Sequence, residues 1–387
     1  MGDSFVGEDI CKFDEVCAFN RRGLFLGGAA KSGTTLLLSL LDGHPKLAVL
    51  PEETHFFGRR KKFSALTTYS DKARWLLESS DSDLHLLAQG RIERARKTNG
   101  SPDTRDYTHF DYTGFVQLTE HFAKQPGLND SLIFSEVIRA YAIANGCDWR
   151  NCMRWVEKTP GNESYTSDLF TLFPEAKFVQ VVRDPRAVFA SRKKHLVRRY
   201  GHYAKAHRHV REWNESARQI SELQKRGGSY LLVRYEDLIQ NTARTLEKVC
   251  QFIGIEFLPV ILEPTRAGKQ WEGNSAYEKS FGGISAESVN QWKNELTKEE
   301  VWWIEMHCRK GMQIAGYQLE TDCRFSLPRW CKKLPGESLG GYLRARRGSF
   351  CQWAGWLEEC RYDVANGMPI SERESAHTDL APDLQIK

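Results

Sequence analysis

The stretch GGAAKSGTTLLLSLLDGHP, residues 27–45, decides the fold because it joins a glycine-rich turn to an apolar helix. The apolar segment 22–28 leads into it and predicts a buried strand that enters a tight turn. A helix is predicted over 34–43, with Gly43 as its C-cap and Pro45 preventing continuation. Together these elements form an anion site, because free N–H groups and the helix dipole point at the loop.

The loop departs from a nucleotide-binding P-loop at one position. The Walker pattern GxxxxGK[ST] places a lysine directly after its second glycine. Gly28 and Gly33 have this spacing, but Thr34 follows Gly33, and Lys31 lies two residues before it. Phosphoryl transfer also needs magnesium at an acidic strand end, whereas the segment VQVVRD puts an arginine before its aspartate. The pattern therefore disfavours one alternative, a kinase-like P-loop NTPase.

A loop with this chemistry favours transfer of a sulfuryl group. A sulfuryl group carries less negative charge than a terminal phosphoryl group, so its transfer can dispense with a metal. Hydrogen-bond donors and one lysine at the bridging oxygen would stabilise the charge that develops on a leaving phosphate.

The order of the remaining elements predicts an α/β fold. Further buried strands are predicted at 153–158, 176–184 and 229–238. Helices are predicted between and after them, and 64–150 is mostly helical, broken by a polar loop at 97–114. Strands that alternate with helices indicate a parallel sheet with helices on both faces. The helices after the first are predicted at 163–173, 185–200, 242–254 and 298–317.

Composition sets the domain organisation and the classes of partner. The chain has 387 residues, of which 41% are apolar and 27% charged, as in a globular protein with a sizeable core. A net charge of +5 is too small to indicate a nucleic-acid partner. We expect a single large domain with flanking segments: an N-terminal segment 1–21, the domain 22–318, a C-terminal extension 319–367 and a disordered tail 368–387.

Cysteine usage and targeting signals bear on the compartment. The ten cysteines form no zinc-like pairs, and the sequence shows no signal peptide and no apolar run that could span a membrane. We therefore expect a cytoplasmic protein. The alternative is the Golgi lumen, with the anchor missing from this sequence, which would suit four N-x-[ST] sequons at Asn99, Asn129, Asn162 and Asn214.

Several motifs carry a resemblance to a known family. The segments AAKSGTTLL, VVRDPRAVFASR and VRYEDL occur in this order, with EKTPGN and GISAESVNQWKNELTKEE adding further similarity. The chain resembles the PAPS-dependent sulfotransferase superfamily over residues 22–318, in its bacterial and Golgi-type carbohydrate branch, with motifs similar to the tyrosylprotein enzymes. The resemblance implies a P-loop-like central parallel sheet flanked by helices. It also implies PAPS (3′-phosphoadenosine 5′-phosphosulfate) as sulfuryl donor and no metal.

The resemblance implies a set of donor-binding residues. Arg183 and Ser191 would clasp the 3′-phosphate, for which the planar arginine fork is suited, and Tyr235 would contact adenine. The alternatives are an Arg183 surface ion pair with Asp184 or Glu175, and a core tyrosine at 235. The 5′-phosphosulfate loop, whose alternative is a plain helix N-terminus with hydroxyl caps, would consist of Lys31, Ser32, Gly33, Thr34 and Thr35, with Lys31 at the bridging oxygen.

The proton acceptor is expected in the segment LPEETHFF, residues 50–57. The resemblance implies that Glu53 is the general base that deprotonates the acceptor hydroxyl, and that Lys158 assists the transfer. A partly buried carboxylate can act as a base at neutral pH. Glu52 and His55 are competing candidates, Glu53 could instead be a solvated loop acid, and Lys158 a structural lysine. Without a base, the chain would be an inactive module that binds PAP, the 3′,5′-bisphosphate product.

Two basic stretches bear on the acceptor. Residues 58–62, GRRKK, directly follow the predicted base, so we expect them at the acceptor entrance. Residues 192–211 continue the predicted 3′-phosphate helix and fit a solvated face as well as a binding surface. An anionic acceptor, such as a uronate-bearing glycan or an acidic peptide, would suit such charge. Any hydroxyl-bearing carbohydrate, peptide tyrosine, lipid or small molecule stays open.

Overall fold

The structure is a computed structural model that describes residues 13–90, 92–94, 104–107, 109–200, 206–271 and 287–321. The predicted tail 368–387, nearly all of the predicted extension 319–367 and most of the segment 1–21 lie outside the described residues. The predicted domain boundaries therefore stay predictions. In the described part, no helix is both long and apolar enough to cross a bilayer.

Nine strands are found in the described residues. They are β1 Gly23–Gly27, β2 Leu47–Val49, β3 Ile92–Arg94, β4 Thr104–Asp106, β5 Arg154–Lys158, β6 Lys177–Val182, β7 Tyr230–Arg234, β8 Thr265–Arg266 and β9 Lys269–Gln270. Five of them form one sheet in the order β2–β5–β1–β6–β7, and every pairing in it is parallel. The other four form two antiparallel hairpins, β3–β4 and β8–β9.

Helices connect the strands and flank the sheet. They are α1 Phe13–Arg21, α2 Thr34–Leu41, α3 Arg60–Ser64, α4 Tyr69–Glu78, α5 Leu84–Ala88, α6 Tyr112–Phe122, α7 Asp130–Ala144, α8 Thr166–Leu172, α9 Pro185–Tyr200, α10 Ala206–Gln224, α11 Tyr235–Gln240, α12 Thr242–Ile253, α13 Glu287–Asn290, α14 Trp292–Glu295 and α15 Lys298–Ile314. The predicted α/β fold with a central parallel sheet is thus confirmed.

Each face of the sheet covers its own apolar core. Phe25 of β1 packs in a cluster with Trp155 and Phe134, whereas Leu24 and Leu26 pack in a second cluster with residues of α2 and α12. Successive side chains of a strand point to opposite faces, so one strand supplies both cores. All five residues of β1 are buried, as expected for the middle strand of a parallel sheet covered on both sides.

The structure corrects several predicted elements. β2 was not among the predicted strands, because three residues are too short for a readable pattern. The strand predicted over 229–238 ends at Arg234, and Tyr235 begins α11. The helix predicted over 34–43 ends at Leu41, with Asp42 rather than Gly43 as its C-cap. Between α5 and α6, the mostly helical region contains the hairpin β3–β4.

The chain divides into two compact units. The sheet belongs to the unit of residues 1–295 and 307–318, and the second unit consists of 296–306 and 319–387. In the described part of the second unit, the Glu305 carboxylate accepts the backbone N–H groups of Glu320 and Thr321, each at 2.8 Å. This carboxylate fixes the turn that follows α15.

Two buried glutamates tie loops to the carboxyl end of the sheet. The Glu163 Oε2 accepts the Gly28 N–H at 2.6 Å and so holds the loop after β1. Glu157 of β5 accepts hydrogen bonds from residues of two further loops. Burial raises the pKa of both carboxyl groups, although hydrogen bonds to them act in the opposite direction.

We expect the substitution Glu163→Gln to change how stability depends on pH. Because the folded-state pKa of Glu163 is raised, its contribution to stability is present below the unfolded-state pKa and is lost as pH rises through the folded-state value. Glutamine does not titrate and can still accept the Gly28 N–H. Relative to wild type, the variant should therefore be more stable at about pH 7.5 than at about pH 4, measured by urea unfolding.

The matched comparison is the same measurement on wild type at both pH values, since the other titrating groups are shared. An equal difference in unfolding free energy at the two pH values would contradict a raised pKa at Glu163.

Candidate active site

All five predicted regions of the site meet at one edge of the sheet. The carboxyl ends of parallel strands lie together, and ligands of open α/β sheets bind there. In the spatial order of the strands, the residues at or after these ends are Glu53, Lys158, the loop 28–33, Arg183 and Tyr235. The loop after β1 is central, with a carboxylate and a lysine on one side and an arginine and a tyrosine on the other.

Backbone conformation explains the glycines of the central loop. Gly28 has φ 141°, and a Cβ there would lie 2.2 Å from the Val181 carbonyl oxygen. Gly33 has φ 100°, and its Cβ would lie 2.3 Å from the Tyr235 ring. Both positions therefore require glycine, for conformation and for space. Lys31 also has a positive φ, 74°, which is uncommon for a side chain of this size.

The loop ends in a helix N-terminus that can bind an anion. Gly33 is the N-cap of α2 and supplies no side chain to cap it, and the N–H of Leu37 is bonded to the Gly33 carbonyl. The first N–H groups of a helix have no partner within it. The Ser32 hydroxyl beside them is buried and makes no hydrogen bond within the described part of the chain. These donors fit a phosphate-like group.

Arg183, Tyr235 and the central loop form one cluster. The Arg183 guanidinium carbon lies 4.1 Å from the centroid of the Tyr235 ring, a cation–π distance. Its Nη1 donates to the Lys31 carbonyl oxygen at 3.2 Å. The structure thus brings three predicted donor-binding positions into contact. Thr34 and Thr35 begin α2, and Ser191 is buried in the second turn of α9, eight residues after Arg183.

The alternative interpretation of Arg183 as a surface ion pair does not agree with the structure. Arg183 is only 7% exposed. Glu175 pairs with Arg21 at 3.6 Å, and Asp184 pairs with Arg186 at 2.6 Å. Both acidic candidates therefore have other cationic partners.

Glu53 and Lys158 form an ion pair on the other side of the loop. The Lys158 Nζ donates to Glu53 Oε1, and His55 Nε2 lies 3.6 Å from Glu53 Oε2. The Lys158 side chain is 3% exposed, whereas that of Glu53 is 22% exposed and can be reached from solvent. The structure therefore brings together the predicted base Glu53, the predicted assisting residue Lys158 and the competing candidate His55.

Glu52 is buried and is held by a different set of side chains. It is 1% exposed, and its Oε1 accepts Arg266 Nη2 at 2.6 Å and the Tyr107 hydroxyl. A buried carboxylate held by a guanidinium and a phenol is a structural group. The two adjacent glutamates therefore have different surroundings, and Glu53 is the one at the accessible edge.

Glu157 organises the base segment, a role that the sequence did not reveal. It is completely buried, and its Oε1 accepts the Thr54 hydroxyl at 2.8 Å and the Thr159 hydroxyl at 2.7 Å. Its Oε2 accepts the Asn162 side-chain amide at 2.8 Å. Thr54 follows Glu53, and Thr159 follows Lys158, so one carboxylate fixes both neighbours of the ion pair. The only signal in the sequence was the EKTPGN motif itself.

Two acidic side chains near the site, Asp184 and Glu53, already have cationic partners. Both Asp184 oxygens accept hydrogen bonds from the Arg186 guanidinium, at 2.9 and 2.6 Å. In a Walker-type site, an aspartate at this place would instead bind the metal ion. Ligand atoms of Glu53, His55 and Asp83 lie within 4.8 Å of one another. The Lys158 ammonium already neutralises Glu53, so a cation there would compete with a buried positive charge.

Three of the four cationic side chains in the basic stretch 58–62 pair with two acidic side chains. Arg59 and Lys62 pair with Asp81 at 3.1 and 2.9 Å, and their hydrogen bonds and charges lower the pKa of its carboxyl group. Arg60 pairs with Asp168 at 2.9 Å. Two carboxylates thus offset only part of the positive charge of this stretch, and its place at the acceptor entrance stays a prediction. In the described part of 192–211, Arg192 pairs with Glu212 and Lys194 with Glu295.

The buried Asn162 bears on the sequons. Its side-chain amide donates to Glu157, and the residue is 2% exposed. A glycan does not fit on this buried nitrogen in the folded protein. In this sequon the asparagine therefore serves as a hydrogen-bond donor inside the protein. Asn129 is exposed and caps α7 through its side-chain oxygen.

The sequence is similar to that of known sulfotransferases. Carbohydrate sulfotransferase 3 of Mus musculus is 27% identical over 165 residues, which cover 38% of this chain and 35% of that protein. Carbohydrate sulfotransferase 2 of Homo sapiens is 30% identical over 94 residues, which cover 24% of this chain and 17% of that protein. The chain therefore spans no more than about a third of the length of these curated relatives.

Solved structures and a family model extend the comparison. The sulfotransferase domain of the Synechococcus PCC 7002 olefin synthase is 20% identical, with a TM-score of 0.46, over 78% of this chain and 97% of that domain. A model described as "Sulfotransferase family" matches residues 23–259, from the first residue of β1 to beyond α12. That match covers more than half of the 387 residues. The chain belongs to the sulfotransferase family.

Proposed function

We propose that this protein transfers a sulfuryl group from PAPS to a hydroxyl group of a carbohydrate acceptor, with Glu53 as general base. One observation carries the proposal: the central loop lies between an arginine–tyrosine stack and an accessible carboxylate–lysine pair. The first arrangement suits a nucleotide that carries two phosphates, and the second suits removal of a proton. The names of the relatives support the carbohydrate class of acceptor.

The donor side supplies hydrogen bonds and positive charge without a metal. The N-terminus of α2 and the Ser32 hydroxyl would bind the 5′-phosphosulfate, and Lys31 would stabilise the charge on the leaving phosphate. Arg183 would hold the 3′-phosphate, with Ser191 as a second donor on α9. Tyr235, fixed against Gly33 and Arg183, would present its ring to the adenine. When bound, PAPS supplies the electrophilic sulfur.

The acceptor side moves one proton. Glu53 would accept the proton of the acceptor hydroxyl as the oxygen attacks sulfur, and its partly exposed carboxylate can reach an incoming molecule. Lys158 holds this carboxylate in place from the buried side. Thr54 and Thr159, both bonded to Glu157, limit the movement of the pair. A base fixed by its neighbours reacts without first being ordered.

The direct test is transfer from radiolabelled PAPS to panels of glycans, peptides, phenols and lipids. We expect labelled glycan, and we expect transfer and PAP binding to continue in EDTA, because no step needs a metal. Binding should weaken as salt concentration rises, since both ligand phosphates are charged. Magnesium-dependent ATP binding without affinity for PAP would contradict the proposal. PAP binding without transfer to any acceptor would indicate an inactive binding module.

Arg183→Ala should weaken PAPS binding by about 2–4 kcal/mol, because it removes the charged partner of a partly buried phosphate. Adenosine 5′-phosphosulfate lacks the 3′-phosphate, so its affinity should change much less. Both affinities can be measured by calorimetry on variants whose thermal unfolding matches wild type. Equal losses for the two nucleotides would mean that Arg183 supports only the fold.

Glu53→Gln should lower turnover by roughly 10²–10⁴-fold and leave PAP affinity unchanged, because glutamine keeps the shape but cannot take the proton. Glu52→Gln is the matched control. It should mainly lower stability, because it leaves Arg266 partly buried without its charged partner. Turnover and melting temperature, measured together, separate the two effects. Near-normal turnover in Glu53→Gln, with loss on substitution of His55 or Glu52, would assign the base elsewhere.

A further inference from the structure

Two cysteines meet where α7 passes into the sheet, at the opposite end of β5 from the candidate active site. The Cys147 and Cys152 sulfur atoms are 3.3 Å apart. Cys147 follows the end of α7, and Cys152 stands two residues before β5 begins at Arg154. The other described cysteines, at positions 17, 250 and 308, are also free thiols.

The turn that holds the two sulfurs is rigid. Trp149, between the cysteines, is 3% exposed and packs edge-on against Phe19, with ring centroids 5.6 Å apart. The Arg139 guanidinium stacks on the same indole at 4.9 Å. The Cys147 N–H donates to the Ala142 carbonyl oxygen at 2.8 Å, and the Cys152 N–H donates to the Trp149 carbonyl oxygen at 3.2 Å. Both backbones are thus fixed, and the sulfur contact is built into the fold.

The two thiols differ in access and in acidity. Cys147 is half-buried, whereas Cys152 is 4% exposed. The hydrogen bond from Cys152 lowers the pKa of the Cys147 thiol, and the same bond together with burial raises the pKa of the Cys152 thiol. Cys147 is therefore the thiol that an external reagent meets, and it is also the more easily ionised one.

We propose that Cys147 and Cys152 are a redox-active pair that closes to an intramolecular disulfide. The co-reactant is a low-molecular-weight disulfide, written RSSR. The Cys147 thiolate attacks one sulfur of RSSR and releases RS⁻, which leaves a mixed disulfide on Cys147. The Cys152 thiol loses its proton and attacks the Cys147 sulfur, and a second RS⁻ leaves. Two protein thiols are oxidised, RSSR is reduced to two thiols, and the two protons go to the leaving thiolates.

Closing the bond needs little movement. A disulfide has a sulfur separation of about 2.05 Å, so the two sulfur atoms, which lie 3.3 Å apart, must approach by only about 1.2 Å. The bond would join the end of α7 to the start of β5, the strand whose far end carries Glu157 and Lys158. It would restrict the unfolded chain and so raise stability. Because it lies at the amino end of β5, it should leave turnover unchanged.

The test uses the full chain equilibrated with oxidised glutathione and then alkylated and digested with trypsin. Cleavage after Arg150 separates the two cysteines, so a disulfide leaves two peptides, 140–150 and 151–154, linked and 2 Da lighter than their sum. We expect the linked pair in the oxidised sample and both peptides alkylated after reduction. Free thiols at both positions after oxidation, or stable glutathione adducts without the link, would overturn the proposal.

Thermal unfolding gives a second and independent readout. Oxidation should raise the melting temperature of wild type by ~2–6 °C, and the shift should vanish in Cys147→Ser and in Cys152→Ser. Cys17→Ser, also at a half-buried thiol, is the matched control and should keep the shift. Persistence of the shift in Cys147→Ser would assign the effect to other cysteines. The peptide map of wild type decides the proposal even where a variant fails to fold.

Discussion

The parallel register of β1 between β5 and β6 is the constraint on which the site depends. Leu26 lies opposite Lys158, the last residue of β5, and Gly27 lies opposite Gln180, two residues before the end of β6. The carboxyl ends of the three strands therefore lie within a few residues of one another. A shift of one residue would exchange the side chains of the two cores, because successive residues face opposite sides of the sheet. Phe25 would then leave its aromatic cluster. The packing of two apolar cores therefore sets the positions of the polar groups beyond the strand ends.

Sequence could predict those parts of the fold that long apolar runs and glycines mark. It located β1, the loop and α2, and it placed Lys31 and Arg183 at strand ends that the structure brings into contact. It missed β2, whose three residues carry no periodicity. The resemblance implied Glu53 as the base and left Glu52 as a competitor, because the different surroundings of Glu52 come from Arg266 and Tyr107, which lie 214 and 55 residues from it in the chain.

Two buried carboxylates hold the loops of the site, and the sequence did not reveal this role. Glu157 and Glu163 carry the cost of desolvation, and hydrogen bonds from loop residues offset it. Thr54 reaches Glu157 across 103 residues of sequence, and Gly28 reaches Glu163 across 135. No local pattern encodes such partners. The loops after β1, β2 and β5 are thus fixed by polar contacts that only the assembled sheet creates.

The central strand also separates two kinds of charge. On the β6 side, the cationic Arg183 lies over an aromatic ring, and on the β5 side a carboxylate is held by a lysine. A doubly phosphorylated donor would be attracted to the cationic first side, whereas on the second side the lysine already balances the charge of the carboxylate. The proton acceptor would then remain available to the hydroxyl that enters from solvent. In the proposed reaction, the sheet topology itself assigns the donor and the acceptor to opposite sides of the loop.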